Sequence, residues 1–472
     1  MFFSTLISGG NFMYKTTRRQ FLAATAAAVA TPMVIPRSVL GSLNAPGANE
    51  TVRVGVIGLG ARCQGIYAPS IKDAQGLKVA AICDIFQPRI DSFQSGLAKD
   101  DDLNTYDDFR QMIEKEKPDG VMVFTATHQR AWVCTLAMQM GMHVYIEKPM
   151  CLTIQEGRYL VNAARKYNRV TQVGTQQRSL PLCNWASDMI QNGAIGKVKV
   201  VEAPNFVGPN IWPGMPEVPL PEGGKDGWWD IWLNQSEYRP YHSQLQYNWP
   251  SWWDYDAGGT GFGVSGWGTH SYDQVNRVLG MNETGPVEIL LEEPCEIQDS
   301  GKYENRKPSD EETGVEYYEM ARVVGPRAKM KMWFANGVEL RLHLDSDRGP
   351  GLGCIVTGEK GKMEVNRHKI SSNPKELTAN VPDEFQNKRD ETVYHVENWV
   401  DCIKTGEKCN ADVEYGHRST TLCELVNIVR ATAPVGEKIG WDPVKERFTN
   451  NDKGNDMLSR PRRKAYDLPK LS

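Results

Sequence analysis

The sequence predicts an α/β fold in which an N-terminal, doubly wound parallel sheet is followed by a second domain built on a large open sheet. Three observations predict it: strands and helices alternate from Thr51 onward, the first strand ends in a glycine-rich turn, and the alternation stops near Thr175. At 472 residues the chain exceeds one ordinary core, so two domains are expected. Val52 to Ile57 is an apolar, β-branched run, as a strand covered on both faces requires. Val79–Cys83, Gly120–Phe124 and His143–Ile146 repeat that pattern, with helices expected at Tyr106–Glu116 and Gln129–Met140. Pro118-Asp119-Gly120 stops the first of these helices, and the parallel domain is expected over 51–174.

Beyond it, Gly196–Ala203, Glu316–Val324, Ala328–Phe334 and Val338–Leu344 read as longer strands of a mostly antiparallel sheet, in a domain of 175–445 with a tail of 446–472. A segment over 205–268 is rich in Pro, Gly and aromatics, and eight of the thirteen tryptophans fall between Trp212 and Trp267. That much Trp argues against disorder.

Apolar residues make up 40% and charged residues 24% of the chain, and the net charge is -4. Nothing there favours nucleic acid or an anionic membrane as a partner, and a small molecule fits better. Residues 1–45 read as an address: Thr17-Arg18-Arg19-Gln20-Phe21-Leu22 is a twin-arginine motif followed by the Ala-rich run Ala23–Ala30 and small residues around Gly41–Ala45. The run is too short to span a bilayer, and Met13 is an alternative start. Export in folded form to the periplasm or cell envelope is the expectation, with no stable membrane insertion. The ten cysteines lack paired spacing, so mostly free thiols and no metal cluster are expected.

Gly58-Leu59-Gly60-Ala61-Arg62-Cys63 follows a strand and opens a helix, the setting of a dinucleotide-binding Rossmann turn. Gly58 permits the tight turn and Gly60 the approach of a pyrophosphate to the helix N-terminus, while Cys63 stands in for the third glycine. Asp84 closes the second strand, where a carboxylate binds ribose hydroxyls and repels a 2'-phosphate, so NAD is expected ahead of NADP. Glu147-Lys148-Pro149 ends another strand, and Lys148 there is a cation able to hold a carbonyl or alkoxide oxygen.

The turn at Gly58–Cys63, Asp84, Glu147-Lys148-Pro149 and Gly174-Thr175-Gln176-Gln177-Arg178 resemble the Gfo/Idh/MocA oxidoreductase family, in a form found among secreted bacterial members. Ala411–Arg430 and Trp441–Leu468 share the resemblance, which covers the whole mature chain. It implies a Rossmann domain followed by an α/β domain with an open sheet, often paired across subunits, so a homodimer or homotetramer is expected. It also implies that Lys148 touches substrate near the nicotinamide, with an Asp and a His four residues later. His270 fills the histidine position and would take the substrate hydroxyl proton, but Gly266 stands where the Asp belongs, with Asp254 or Asp273 as substitutes. Ala126 and Arg130 replace a Pro and a His usual in the segment after Gly120–Phe124, where Thr125 and His128 are expected near the cofactor.

The expected cofactor set is therefore Gly58, Gly60, Ala61, Arg62, Cys63, Asp84, Thr125, His128, Glu147, Lys148 and Gln176, with no metal. The expected substrate set is Lys148, Arg178, Trp253, Asp254, Trp267 and His270, with Lys148, His270 and Asp254 catalytic. Trp228, Trp229, Trp232, Trp252 and Trp253 offer faces for sugar rings or for a subunit interface. An exported enzyme meets no free NAD pool, so the cofactor should be tightly held. The expected activity is hydride transfer at a CH-OH group of a sugar or sugar derivative. The alternatives are a redox-neutral glycoside hydrolase with transient C3 oxidation and a non-catalytic carbohydrate-binding protein.

Overall fold

The computed structural model describes residues 51–471 except 211, 213, 260–262, 294–327 and 346–349. The twin-arginine segment, Cys295 and the strand expected at Glu316–Val324 lie outside the described residues.

The first sheet runs β1 (Val52–Ile57), β2 (Leu77–Cys83), β3 (Asn104–Tyr106), β4 (Gly120–Val123), β5 (His143–Ile146) and β6 (Thr171–Val173), in the order β3-β2-β1-β4-β5-β6. Every pairing in it is parallel. The order reverses between β1 and β4, which opens a crevice at the carboxyl ends of the strands. Helices α1 (Ala61–Ile66), α2 (Gln87–Ser95), α3 (Phe109–Glu116), α4 (Thr127–Gln139) and α5 (Ile154–Lys166) connect the strands. The helix expected from Tyr106 starts later, because Tyr106 ends the short β3 and the Asp108 carboxylate caps α3 by accepting from Arg110 N. Conversely α4 begins two residues before the expected Gln129.

After α6 (Pro181–Gln191) come β7 (Val198–Asn205), α7 (Trp228–Leu233), α8 (Trp267–Leu279) and strands β8 (Pro286–Leu291), β9 (Met330–Phe334), β10 (Glu339–Asp345), β11 (Cys354–Gly358), β12 (Gly361–Asn366) and β13 (Lys369–Asn373). Then follow α9 (Glu391–Thr405), α10 (Val413–Thr432), β14 (Lys438–Asp442) and β15 (Arg447–Phe448). The nine-stranded sheet has the order β13-β12-β11-β7-β10-β9-β8-β14-β15 and is mixed, since β7 and β10 pair in parallel among otherwise antiparallel neighbours. One of its faces is packed by α6, α8 and α10 around Val201, Leu340, Val275 and Leu425.

The two sheets share a scaffold. Trp399 of α9 is fully buried against β1 and β4, and a side chain on Gly120 would meet its ring at 3.1 Å. At Gly416 of α10 a Cβ would sit 2.3 Å from Val173 of β6. Helices from the second half of the chain thus cover the first sheet, and the described residues from Val52 on form one compact unit.

The Trp-rich segment makes a core of its own. Trp228, Trp229, Trp232, Trp252, Tyr241 and Tyr255 are buried together with Phe86 and Ala126 from the first domain. Trp229 and Trp232 stack at 4.7 Å between ring centroids. Most of these rings are therefore consumed inside the chain, and the expectation that they present faces to a sugar or a partner is corrected for Trp228, Trp229 and Trp252.

Candidate active site

A cleft of about 600 Å³ opens at the carboxyl ends of β1, β2, β4 and β5. Its floor is the expected turn. Gly58 has φ +89°, and any side chain there would lie 2.8 Å from Thr125 N, so only glycine allows β1 and β4 to end side by side. Gly60 differs: it lines the cleft, and a Cβ on it would meet nothing of the chain within 4 Å. Such a vacancy beside the opening turn of a helix is the cradle a pyrophosphate needs. Asp84 accepts from Leu59 N at 2.8 Å and Phe86 N at 3.0 Å, which fixes its carboxylate at the rim, with Arg89 4.0 Å away.

Ala61, Arg62, Thr125, Glu147 and Lys148 also line the cleft. The Glu147 carboxylate is buried, accepts no hydrogen bond, and has Arg62 Nε at 3.3 Å as its counter-charge. Gly174 sits against it, where a Cβ would approach Glu147 Oε2 to 2.7 Å. Lys148 Nζ donates to Gly266 O at 2.9 Å, at the entry to α8. Burial pushes its ammonium down to about 8, against the opposing pull of Glu147 and Asp256.

Asp256 is the carboxylate the sequence reading missed. It is fully buried, lines the cleft, and accepts from Thr127 Oγ1 at 2.5 Å and from Ser265 Oγ. Burial raises its pKa, while both hydroxyls and the Arg130 and Lys148 cations oppose the rise. Asp254, two residues earlier, does not line the cleft: Arg239 holds it at 2.7 Å and it is 35% exposed. Its catalytic assignment is therefore corrected in favour of Asp256.

Other expected site residues also lie elsewhere. Arg178 and Asp273 form a buried pair at 2.7 Å, joined by Asn282 and Ser419, so neither is available to substrate. His128 is fully buried, with Nε2 2.8 Å from Trp232 O, and burial pushes it down to about 3. His270 sits in α8 one turn past the Gly266 carbonyl and does not line the cleft. Burial, then the Arg367 and Lys148 cations, hold its imidazole well below the usual range and therefore neutral. Gln176 is buried and donates to Tyr145 Oη at 3.2 Å. Cys63 packs under the turn against Leu59 and Ile66, the small-residue role that the sequence predicts, without reaching the cleft. Trp253 is covered by the Arg460 guanidinium 3.7 Å from its ring centroid, and Trp267 packs on the second core.

Residues from distant segments complete the walls. Trp232, Trp249 and Asn234 come from the Trp-rich segment, and Ala465 and Tyr466 from a segment near 460–467. That segment is pinned by Arg462 to Glu156 at 2.6 Å, by Arg463 to Asp230, and by Arg460 to Trp253 O. Arg130 braces the wall between β4 and β5 by donating to Thr125 O at 3.0 Å and to Pro149 O.

Two family models match the chain: an oxidoreductase family with an NAD-binding Rossmann fold over residues 52–175, and its C-terminal alpha/beta domain over 185–468. D-glucoside 3-dehydrogenase of Escherichia coli (strain K12) is 26% identical over 155 residues, 33% of this chain and 43% of that protein. Glycosyl hydrolase family 109 protein 1 of Shewanella sp. (strain ANA-3) is 29% identical over 192 residues, 39% of this chain and 40% of that protein. The matches thus span less than half the length of these curated relatives. Among solved structures, the aldose-aldose oxidoreductase of Caulobacter crescentus complexed with glycerol superposes with a TM-score of 0.55 at 15% identity, covering 83% of this chain and 99% of that one. At that identity the likeness speaks for the fold.

Proposed function

The chain belongs to the Gfo/Idh/MocA oxidoreductase family, and from that premise we propose that it moves hydride at a CH-OH group of a sugar or sugar derivative, using a tightly held NAD. The observation that carries the proposal is that one cleft brings together the vacant surface at Gly60, the Asp84 carboxylate and the Lys148 ammonium. Gly58, Gly60, Ala61 and Arg62 would hold the pyrophosphate, Asp84 the ribose hydroxyls, and Thr125 the wall nearest Lys148. NAD bound there supplies the hydride acceptor or donor.

Lys148 is the residue that handles the substrate oxygen. With its pKa near 8, about a tenth of the ammonium is neutral at pH 7, so the side chain can take a hydroxyl proton and give it back in the reverse direction. In its charged form it steadies the oxygen as negative charge develops. Asp256 supplies the facing negative charge, itself held in place by Thr127 and Ser265. His270, neutral and outside the cleft, takes no proton in this scheme. Asp84 supports NAD over NADP because a 2'-phosphate would meet a carboxylate.

The twin-arginine motif supports export in folded form and hence a resident cofactor. The test is to denature the purified protein and analyse what it releases. Stoichiometric NAD is expected, and its absence, with no binding of added NAD, would sink the enzymatic reading. A redox-neutral glycoside hydrolase is the second reading, favoured by relatives of glycosyl hydrolase family 109 at 28–31% identity, above the 26% of the D-glucoside dehydrogenase. Aglycone release from a glycoside without an added acceptor and without net NADH would select it.

A further inference from the structure

We propose that Cys402 and Cys409 are a disulfide-forming pair that closes the loop between α9 and α10 when the protein meets an oxidising compartment. The inference is independent of the catalytic reading.

Cys402 lies in the last turn of α9, and Asn398 lies one turn earlier on the same face. The helix stops at Gly406, whose φ of +77° turns the chain back, and Gly406 N donates to Cys402 O at 2.8 Å. The returning segment is then tied to the helix it has just left, because Asn410 N donates to Asn398 Oδ1 at 2.8 Å. Cys409, immediately before that anchor, is thereby laid beside Cys402. Both side chains belong to the same buried cluster. The neighbouring Cys409 sulfur draws the Cys402 thiol below its usual range, which favours the attacking thiolate. Access comes through the loop: residues 404–408 are exposed although the two sulfurs are covered.

The chemistry needs a disulfide-bearing oxidant, such as oxidised glutathione or a thiol oxidase of the envelope. The Cys402 thiolate attacks one sulfur of the oxidant and expels the other as a thiol. The Cys409 thiolate then displaces the remaining half, so the protein loses two hydrogens and the oxidant gains them. The remaining described cysteines, distributed through the cores without such a return of the chain, stay reduced.

The full chain is to be incubated with oxidised glutathione, alkylated under denaturing conditions without reduction, and digested with trypsin. Lys404 and Lys408 lie between the two cysteines, so cleavage separates them. The expected product joins peptide Asp390–Lys404 to peptide Cys409–Arg418 with a loss of about 2 Da. Two of the ten thiols then escape alkylation, whereas a C402S/C409S variant shows no loss on the same treatment. Ten alkylated thiols after oxidation, or a cross-link that joins other cysteines, would overturn the proposal.

Discussion

Gly58 and Gly60, two residues apart, should fail in opposite ways when replaced, and the contrast tests whether the cleft is built for a dinucleotide. In Gly60→Val the backbone is already extended, at φ -72° and ψ 179°, and the new Cβ meets nothing of the protein within 4 Å. The fold of the dinucleotide-free protein should lose less than about 0.5 kcal/mol, as at an ordinary surface position. The ligand loses its place instead. Hydrogen bonds to a charged phosphate contribute roughly 1.5–3 kcal/mol each, so displacing two of them costs about 3–6 kcal/mol. That weakens NAD binding by about 10² to 10⁴-fold. In Gly58→Ala the positive φ costs an alanine roughly 1–3 kcal/mol, and its methyl lies 2.8 Å from Thr125 N and 2.9 Å from Phe124 C, backbone atoms that cannot swing aside. A stability loss of about 2–4 kcal/mol follows. Urea unfolding of both variants, stripped of dinucleotide so that ligand linkage does not intrude, gives the stability arm, and calorimetric titration with NAD gives the binding arm. Undiminished NAD affinity in Gly60→Val would refute the assignment of the cleft.

Lys148→Met should lower turnover by about 10²-fold or more and yet make the protein more stable at pH 7. Folding moves this lysine from its ordinary value near 10.4 down to about 8, so the unfolded state binds more protons between those values and wild-type stability rises with pH there. The advantage of Lys148→Met, on the order of 3 kcal/mol, is therefore full below pH 8 and fades toward pH 10, which denaturation series at several pH values would check. Asp256→Asn should reduce kcat/KM by about 10 to 10²-fold, whereas Asp254→Asn, which loses only a partly exposed ion pair, should stay within about 3-fold. Arg178→Met leaves Asp273 buried without its cation, so a loss of about 3–5 kcal/mol in thermal or urea unfolding is expected with NAD affinity of the folded protein unchanged.

The parts of the site written in contiguous residues were legible in the sequence. A tight turn, a close approach and a carboxylate at a strand end impose demands on single positions, so Gly58, Gly60, Asp84 and Lys148 could be named before the fold was known. Choices that depend on how a loop is turned could not. Asp254 and Asp256 stand in one Trp-Asp-Tyr-Asp stretch, and Arg239 claims the first while Thr127 and Ser265 claim the second. Arg178 and Asp273, 95 residues apart, neutralise each other in the core, and each looked available alone. His128 follows Thr125 closely, but α4 carries it toward Trp232 and away from the cleft. The Trp-rich composition was plain and its destination was not, since whether an indole faces ligand or core is settled only when Phe86 and Ala126 arrive from the other domain.

The segment around Arg460 to Tyr466 bears on the order of events during synthesis. Strand β5 with Lys148 leaves the ribosome roughly 300 residues before the segment that supplies Ala465 and Tyr466 to the cleft. Until Arg462 reaches Glu156 and Arg463 reaches Asp230, one side of the chamber is missing. The cleft of the half-made chain is therefore open on the side that Ala465 and Tyr466 later line. Completion of this wall is therefore a late event, set by residues made near 460–467 rather than by the parallel sheet they enclose.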